Sequence, residues 1–383
     1  MSNLYDVIVI GVGAMGSSAC FHLARKGLKV LGIEQFVIPH DRGSSHGQSR
    51  MTRMAYYEHP DYVPLLRRAY ELWHELEDLS GQKLLHITGG VYMGPPRGGL
   101  MAGSLAAAKR HGLAHEALSA ETLAERFPQF RLASDWSAMH EPMAGFLLPE
   151  AAVSAYADQA RRLGAEIHEN EAVLDWRDPL HSPAAAGRLV VRTDANEYRA
   201  RKLVVCGGAW STRLLPELGI PLVVTRQVLG WVRPTNHLPF ALGTFPVWAA
   251  ENPDGTLLYG FPILPTEHTL KVAWHGAGRA TDPNAVDRTT SAADAATFLP
   301  ALPHLLPAAA GPVAEMRVCM YTNSPDHHFI IDHLPRNPRV TVACGFSGHG
   351  FKFASVVGEV LSDLATDGAT KLPIAFLSAG RFA

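Results

Sequence analysis

The chain has 383 residues, of which 47% are hydrophobic, and its formal net charge at pH 7 is -2. This length exceeds the roughly 250 to 300 residues at which a single core stops growing, so we expect two domains. The near-neutral charge excludes a nucleic-acid partner, and the absence of an apolar run near the roughly 18 residues that cross a bilayer predicts a soluble, cytoplasmic protein.

A strand, a glycine-rich turn, a helix and a second strand are predicted at the start of the chain. Residues 5–10 are apolar and β-branched, residues 17–26 have helical spacing, and residues 29–33 form the second strand, which ends at Glu34. The glycines of the intervening GxGxxG are Gly11, Gly13 and Gly16. Glycines let a helix N-terminus approach a pyrophosphate, and an acid at this position accepts hydrogen bonds from a ribose. The unit predicts binding of FAD or NAD, because the charge of Glu34 would repel the 2'-phosphate of NADP.

Two later segments also end in glycines. The predicted buried strand at residues 202–206 leads into Gly207. Residues 339–343 lead into a second glycine-rich loop, which a predicted helix over 351–366 follows. The glycines of that loop are Gly345, Gly348 and Gly350. Ligands of open α/β sheets bind beside the carboxyl ends of the strands, so we predict that these loops face one cofactor.

The remaining segments contain much of the proline and several short apparent strands. We therefore predict an α/β (α+β) fold with a Rossmann-type cofactor domain, discontinuous in sequence, and a second, mainly antiparallel β-sheet domain for the substrate. The predicted cofactor domain comprises residues 1–84, 150–216 and 315–383. The predicted substrate domain comprises residues 85–149 and 217–314.

Several motifs resemble the family of monomeric sarcosine oxidases and N-methyl-L-tryptophan oxidases. They are GSSHGQSRMTR at residues 43–53, CMYT at 319–322, SPD at 324–326, FIID at 329–332 and GFSGHGFKF at 345–353. The resemblance extends from the first strand to about residue 363. It implies an FAD-dependent amine oxidase, a monomer, that acts on a small amino-acid substrate with oxygen as the electron acceptor.

The resemblance also implies that a cysteine sulfur holds the flavin covalently. The four cysteines include no CxxC pair, and we expect reduced thiols. The cysteine of CMYT is Cys319, while Cys344 remains a rival thiol at this stage. The predicted cofactor-binding residues are Gly11, Gly13, Gly16, Glu34, Ser45, His46, Ser49, Gly207, Cys319, Gly345, Gly348 and Gly350. No metal is expected, since the adjacent Asp326, His327 and His328 lack further ligands at suitable spacing.

Recognition of a substrate carboxylate needs fixed cations, because a buried anion without a partner is very costly. The resemblance places Arg53 and Lys352 at the positions that bind this carboxylate. Lys352 falls in the first turn of a predicted helix, whose positive end adds to the attraction. The alternative reading, two solvated surface cations, fits poorly with a lysine flanked by Phe351 and Phe353.

The predicted catalytic residues are Lys271, His275, Arg50, Tyr259 and Tyr321. Alternation along the predicted strand at 270–275 puts Lys271 and His275 on one face. The resemblance implies that Lys271 stabilises the negative charge that develops as oxygen is reduced, and that His275 lies beside the substrate amine. A polar outer strand face is the alternative for this pair, and core packing is the alternative for the two tyrosines.

The sequence departs from the family pattern in two places. Gln48 stands where an aspartate is usual, and Met54 stands where a histidine is usual. The predicted reaction is oxidative demethylation of an N-methyl amino acid, giving the amino acid, formaldehyde and hydrogen peroxide. Oxidation of pipecolate, proline or a glycated amino acid, a dehydrogenase with another electron acceptor, and a flavin-binding module without turnover are the alternatives.

Overall fold

The computed structural model describes residues 4–179 and 187–383. The strands are β1 (Leu4–Ile10), β2 (Val30–Ile33), β3 (Arg50–Thr52), β4 (Leu85–Ile87), β5 (Gly90–Gly94), β6 (Glu116–Leu118), β7 (Ser137–Glu141), β8 (Gly145–Leu147), β9 (Glu166–His168), β10 (Val173–Arg177), β11 (Leu189–Thr193), β12 (Glu197–Val205), β13 (Val223–Val232), β14 (Val247–Glu251), β15 (Leu257–Gly260), β16 (Leu270–His275), β17 (Arg279–Ala280), β18 (Val313–Asn323), β19 (Ile330–Leu334) and β20 (Asn337–Cys344). The α-helices are α1 (Ala14–Arg25), α2 (Val63–Ser80), α3 (Gly99–His111), α4 (Ala120–Arg126), α5 (Pro149–Arg162), α6 (Ser211–Leu214), α7 (Ala292–Ala295), α8 (Leu302–Leu305) and α9 (Ala354–Asp367). This mixture confirms the predicted α/β class.

An eight-stranded sheet contains the predicted dinucleotide-binding unit. β1 pairs in parallel with β2 and β12, β12 pairs in parallel with β20, and β2 pairs in parallel with β9. A strand covered on both faces is a continuous apolar run, as residues 7–10 of β1 are. Because β1, β2, β12 and β20 are parallel, their carboxyl ends meet at one edge of the sheet.

Helix α1 packs closely on α9 and α5. It begins at Ala14, earlier than predicted, because the glycine-rich turn ends at Gly13. A Cβ at Gly358 of α9 would come within 2.1 Å of Ser18 Oγ on α1, so the two helices are in direct contact. The first turn of the helix predicted over 351–366 is a 3-10 turn, Phe351–Phe353, which leads into α9.

A nine-stranded sheet lies against the first unit, in the order β17-β13-β16-β15-β14-β5-β7-β6, with β18 paired to β13. Among the described strands, its pairs are antiparallel except β5 with β14, which is parallel. Its apolar core contains Trp248, Phe245 and Phe298, which are fully buried. The predicted mainly antiparallel sheet is therefore present.

Two strands connect these layers to the candidate site. β18 crosses the predicted domain boundary between residues 314 and 315 and pairs along its length with β13, so Cys319 belongs to the antiparallel sheet. β3 forms a small antiparallel sheet with β8 and carries Arg50. The division into two domains stays a prediction, and the position of β18 places that boundary inside a strand.

Candidate active site

A cavity of about 430 Å³ lies at the carboxyl ends of the parallel strands. Nine of the predicted cofactor residues line it: Gly11, Gly13, Glu34, Ser45, Gly207, Cys319, Gly345, Gly348 and Gly350. Gly16, His46 and Ser49 do not belong to its wall. The loops after β1, β12 and β20 thus meet around one elongated space, as predicted from their glycines.

Each glycine of the glycine-rich turn after β1 meets a different structural requirement. Gly11 has a φ of +84°, and a Cβ there would come within 2.5 Å of Cys206 O. A Cβ at Gly16 would come within 1.8 Å of Gly11 O, so Gly16 allows α1 to pack against the turn. A Cβ at Gly13 would meet Ser45 Oγ at 3.7 Å, an ordinary contact. The protein itself therefore does not require glycine at position 13, where a side chain would instead narrow the cavity.

The residues present fit a dinucleotide cofactor. Gly13 caps α1 without a side-chain hydrogen bond, which leaves the helix N-terminus to the cavity, although Ala14 N donates to Ser45 Oγ at 3.3 Å. The buried Glu34 carboxylate accepts the N–H of Val12 at 2.8 Å and stands at the cavity wall, where ribose hydroxyls would reach it. The helix N-terminus fits a pyrophosphate, and the neighbouring Glu34 fits the ribose of an adenosine.

The thiol of Cys319 belongs to the same cavity. Arg50 Nη2 lies 3.6 Å from Cys319 Sγ. Cys344, the rival thiol, lies fully buried in the core of the parallel sheet, outside the cavity wall, and burial raises the pKa of its thiol to about 12. Cys206 lines the cavity, but burial raises its pKa as well. Cys319 is therefore the cavity thiol that lies beside the Arg50 guanidinium.

A second cavity, of about 80 Å³, adjoins the first. Arg50, Tyr259 and Tyr321 line both cavities, whereas Arg53, Lys352 and His275 line the small one. These six residues come from segments that are far apart in the chain. The structure therefore brings the predicted carboxylate-binding residues and four of the five predicted catalytic residues to one place.

Arg53 and Lys352 are buried, so the alternative of two surface cations is excluded. Arg53 Nη2 pairs with Glu58 Oε1 at 2.6 Å, and among the described residues Arg53 Nη1 has no hydrogen-bond partner. Lys352 Nζ donates to His349 O at 2.8 Å and to Tyr56 OH at 3.4 Å. Burial, and then the nearby Arg53, lower the pKa of Lys352 to about 7, against an opposing effect of Glu58.

His275 and Tyr321 also line the small cavity. His275 Nδ1 lies 3.2 Å from Tyr321 OH. Burial lowers the pKa of His275 to about 4, so its imidazole is neutral at neutral pH. An amine in this cavity would meet a neutral ring rather than a second cation.

Lys271 lies behind the wall of the cavities and lines neither of them. It is 3% exposed, which excludes the polar outer strand face left open by the sequence. Its Nζ donates to Gly47 O at 2.5 Å and Ser49 O at 2.6 Å, and Arg50 Nη1 donates to the same Ser49 carbonyl at 3.2 Å. Burial holds the pKa of Lys271 well below its usual value. The link to the cavity wall is therefore Ser49 and Arg50.

His46 is buried near these cations, and burial lowers its pKa to about 3. In the described part of the chain, both of its ring nitrogens lack hydrogen-bond partners. Gln48, the first departure from the family pattern, has a φ of +66°. Its side-chain oxygen accepts the indole N–H of Trp231 at 2.7 Å. Met54, the second, donates its N–H to Glu141. Gln48 and Met54 line neither of the two cavities.

Sequence reasoning missed two carboxylates of the site. Glu58 pairs with Arg53. The sequence feature that could have indicated it is an acidic residue that follows two tyrosines shortly after Arg53. Glu141, 1% exposed, accepts the N–H groups of Met54 and Ala55 and the hydroxyl of Tyr92. It fixes the backbone directly after Arg53 from a strand far away in sequence, where no local pattern marks it.

Asp326, from the motif that the sequence analysis set aside as a metal site, forms an ion pair with Arg381. Arg381 Nε lies 2.7 Å from Asp326 Oδ2, and the backbone N–H of His328 donates to the same carboxylate at 3.0 Å. Each α-helix in residues 4–179 and 187–383 is too short or too polar to cross a membrane.

The fold and the larger cavity define a protein of the Rossmann-type, dinucleotide-binding class. Residues 6–364 match the family model described as FAD dependent oxidoreductase. A monomeric sarcosine oxidase of Streptomyces avermitilis is 42% identical and aligns with 100% of this chain and 99% of its own length. An N-methyl-L-tryptophan oxidase of Yersinia pestis is 36% identical, over 99% of both chains.

The chain belongs to the FAD-dependent oxidoreductases, and within them to the family of monomeric sarcosine oxidases and N-methyl-L-tryptophan oxidases. The fold is also similar to that of NikD, described as an unusual amino acid oxidase essential for nikkomycin biosynthesis. That similarity has a TM-score of 0.84 and 24% identity, and covers 98% of this chain and 97% of NikD.

Proposed function

We propose that the protein oxidises an N-methyl amino acid with oxygen and water, giving the amino acid, formaldehyde and hydrogen peroxide. The observation that supports this most is the small cavity, in which the buried cations Arg53 and Lys352 lie a short distance from the wall shared with the cofactor cavity. Glu58 supplies one negative charge to these two cations, and the carboxylate of an amino acid would supply the second. The carboxylate then directs the substrate amine toward the shared wall.

Each residue has a proposed role in binding. Arg53 keeps Nη2 on Glu58 and offers Nη1 to the carboxylate, while Lys352 reaches it from the turn before α9. Charge-assisted hydrogen bonds of this kind contribute about 1.5 to 3 kcal/mol each. His275 and Tyr321 then hold the neutral amine, because the imidazole carries no charge that would repel it.

FAD bound along the larger cavity would accept the two electrons removed from the N-methyl carbon and transfer them to oxygen. The protein contributes orientation and fixed charge around that chemistry. Arg50, Tyr259 and Tyr321 separate the two cavities and would set the position of the methyl group against the cofactor. The remaining proposed cofactor contacts are those of the glycine-rich turns and Glu34.

The direct test is a peroxide-coupled assay of the purified protein with N-methyl amino acids from sarcosine to N-methyltryptophan. We expect hydrogen peroxide and formaldehyde in equal amounts with at least one of them, because each N-methyl group removed gives one of each. Pipecolate and proline serve as controls, since a ring amine yields no formaldehyde. Peroxide from the ring amines alone would contradict the proposal, and so would flavin reduction by substrate without oxygen consumption.

We further propose that Cys319 Sγ carries the flavin. Acid precipitation of the wild-type holoprotein should leave the yellow colour in the pellet. Cys319→Ser should release the colour into the supernatant, because a serine hydroxyl is a much weaker nucleophile than a thiolate and would not form the corresponding ether. Cys344→Ser is the matched control and should retain the colour, because that thiol lies outside the cavity wall. Colour that remains attached in Cys319→Ser would refute the assignment.

A further inference from the structure

The wall of the small cavity has three chemically different parts. Arg53 and Lys352, with Glu58 paired to Arg53, form a charged part. Tyr259, Tyr321 and His275 form a polar part, and the two tyrosines also line the larger cavity. The third part is apolar and consists of Met51, Tyr57, Leu100, Ala249, Leu257 and Phe261. When the carboxylate and the methylamino group of a substrate occupy the first two parts, the side chain on its α-carbon is left with the third.

The apolar part is held in place by the start of α3. Leu100, 1% exposed, is the second residue of this helix. The carboxylate of Glu251 accepts the N–H of Gly99 at 2.8 Å and that of Leu100 at 2.9 Å. Gly98, the N-cap residue, provides no side-chain hydrogen bond, so Glu251 acts as the cap from β14. β14 also carries Ala249, so two parts of the apolar wall are tied together.

A second contact fixes the same helix against Tyr57. A Cβ at Gly103 would come within 2.4 Å of the carbonyl oxygen of Tyr57, which means that α3 lies directly on that backbone. This close contact therefore holds Leu100 near Tyr57, and the helix cap holds Leu100 to β14. Rigid interiors respond to added volume with strain rather than with a gradual opening.

We propose that Leu100 sets the upper size limit for the substrate side chain. The cavity of about 80 Å³ also holds the carboxylate and the methylamino group, so it leaves little volume for a side chain. Hydrogen and methyl side chains, as in sarcosine and N-methylalanine, are accepted, and larger ones are rejected by Leu100. This rests on the proposed function and narrows its substrate class. Leu100→Ala removes the obstacle while Glu251, which caps backbone N–H groups, still holds the helix.

The test compares kcat/KM for N-methyl-L-leucine and for sarcosine. In the wild type the ratio should be small, and Leu100→Ala should raise it by about tenfold or more, the usual effect of added room in an apolar pocket. Met101→Ala is the matched control: Met101 is the next residue of α3, 2% exposed, and outside the lining of the small cavity. Its ratio should stay at the wild-type value, although it loses a buried side chain of similar size.

A binding measurement separates this proposal from the proposed reaction. The unreactive carboxylates (methylthio)acetate and 2-(methylthio)-4-methylpentanoate are titrated into each holoprotein, with the flavin absorption spectrum as the readout. Leu100→Ala should tighten binding of the larger compound relative to the smaller one, and Met101→Ala should not. Equal ratios in all three proteins would overturn the role of Leu100, even if sarcosine is oxidised. A selective gain in binding without any turnover would support Leu100 and contradict the proposed reaction.

Discussion

Arg53→Met and Lys352→Met should each lower kcat/KM for an N-methyl amino acid by about a hundredfold or more. Both cations are buried at the small cavity, so loss of one leaves the substrate carboxylate half-paired in a site with little water. Arg53→Met also leaves Glu58 without its partner at 2.6 Å. Steady-state kinetics with sarcosine provides the measurement.

The control is a substrate without a carboxylate, such as dimethylamine. It should be a very poor substrate of the wild type, and each Met variant should reduce its kcat/KM far less than that of sarcosine. Arg226→Met is the matched variant, because Arg226 forms a similarly buried ion pair with Asp294, outside both cavities. It should leave the ratio between the two substrates unchanged. Equal fractional losses for sarcosine and dimethylamine in Arg53→Met would contradict the proposed binding of the carboxylate by Arg53 and Lys352.

The pH dependence of anion binding gives a further test of carboxylate binding by Lys352. The pKa of Lys352 is about 7 in the free protein, and the charged form is favoured below that pH. An anion binds the charged form better and raises this pKa in the complex, so the affinity for (methylthio)acetate should fall as the pH rises through 7. Lys352→Met should lose this fall, since the remaining guanidinium of Arg53 stays charged throughout. A wild-type affinity that is constant from pH 6 to 8 would argue against a role for Lys352.

Lys271→Met should slow reoxidation of the reduced flavin by oxygen about a hundredfold or more and slow flavin reduction by substrate much less. Lys271 is a buried cation on two backbone carbonyls, and one of them is shared with Arg50 at the cavity wall. Negative charge that develops on oxygen near this wall would be stabilised by the ammonium group of Lys271, because little water screens the interaction. Stopped-flow measurement of the two half-reactions separates the effects.

Lys352→Met provides the reciprocal control for this experiment. It should slow reduction by substrate and leave reoxidation close to the wild-type rate, because its partner is the carboxylate. Equal losses in both half-reactions for Lys271→Met would mean that Lys271 supports the loop at residues 47–49 rather than the reaction with oxygen. A normal absorption spectrum of the bound flavin in each variant would show that the cofactor site is intact.

Local chemistry in the sequence was enough to predict the dinucleotide-binding unit. The turn after β1 requires a positive φ at Gly11 and a close approach at Gly16, and both requirements appear as glycines at fixed spacing. The apolar β-branched runs mark strands that are buried on both faces. Glu34 follows the second strand directly, so its position at the cavity edge follows from the chain itself. The fold class was accessible for the same reason, whereas the family was indicated by the resemblance of the motifs at residues 43–53, 319–332 and 345–353.

The tertiary structure alone decided which side chains meet. The resemblance implies a role for Lys271 in the reaction with oxygen, and the fold shows that its Nζ lies on the carbonyls of Gly47 and Ser49. Glu141 supports the backbone after Arg53, and Glu251 caps the helix that carries Leu100, although each pair is far apart in the chain. Such contacts depend on how sheets and helices pack and on the direction of each side chain. Periodicity and motif spacing describe neighbours along the chain, and they contain no information on these long-range distances.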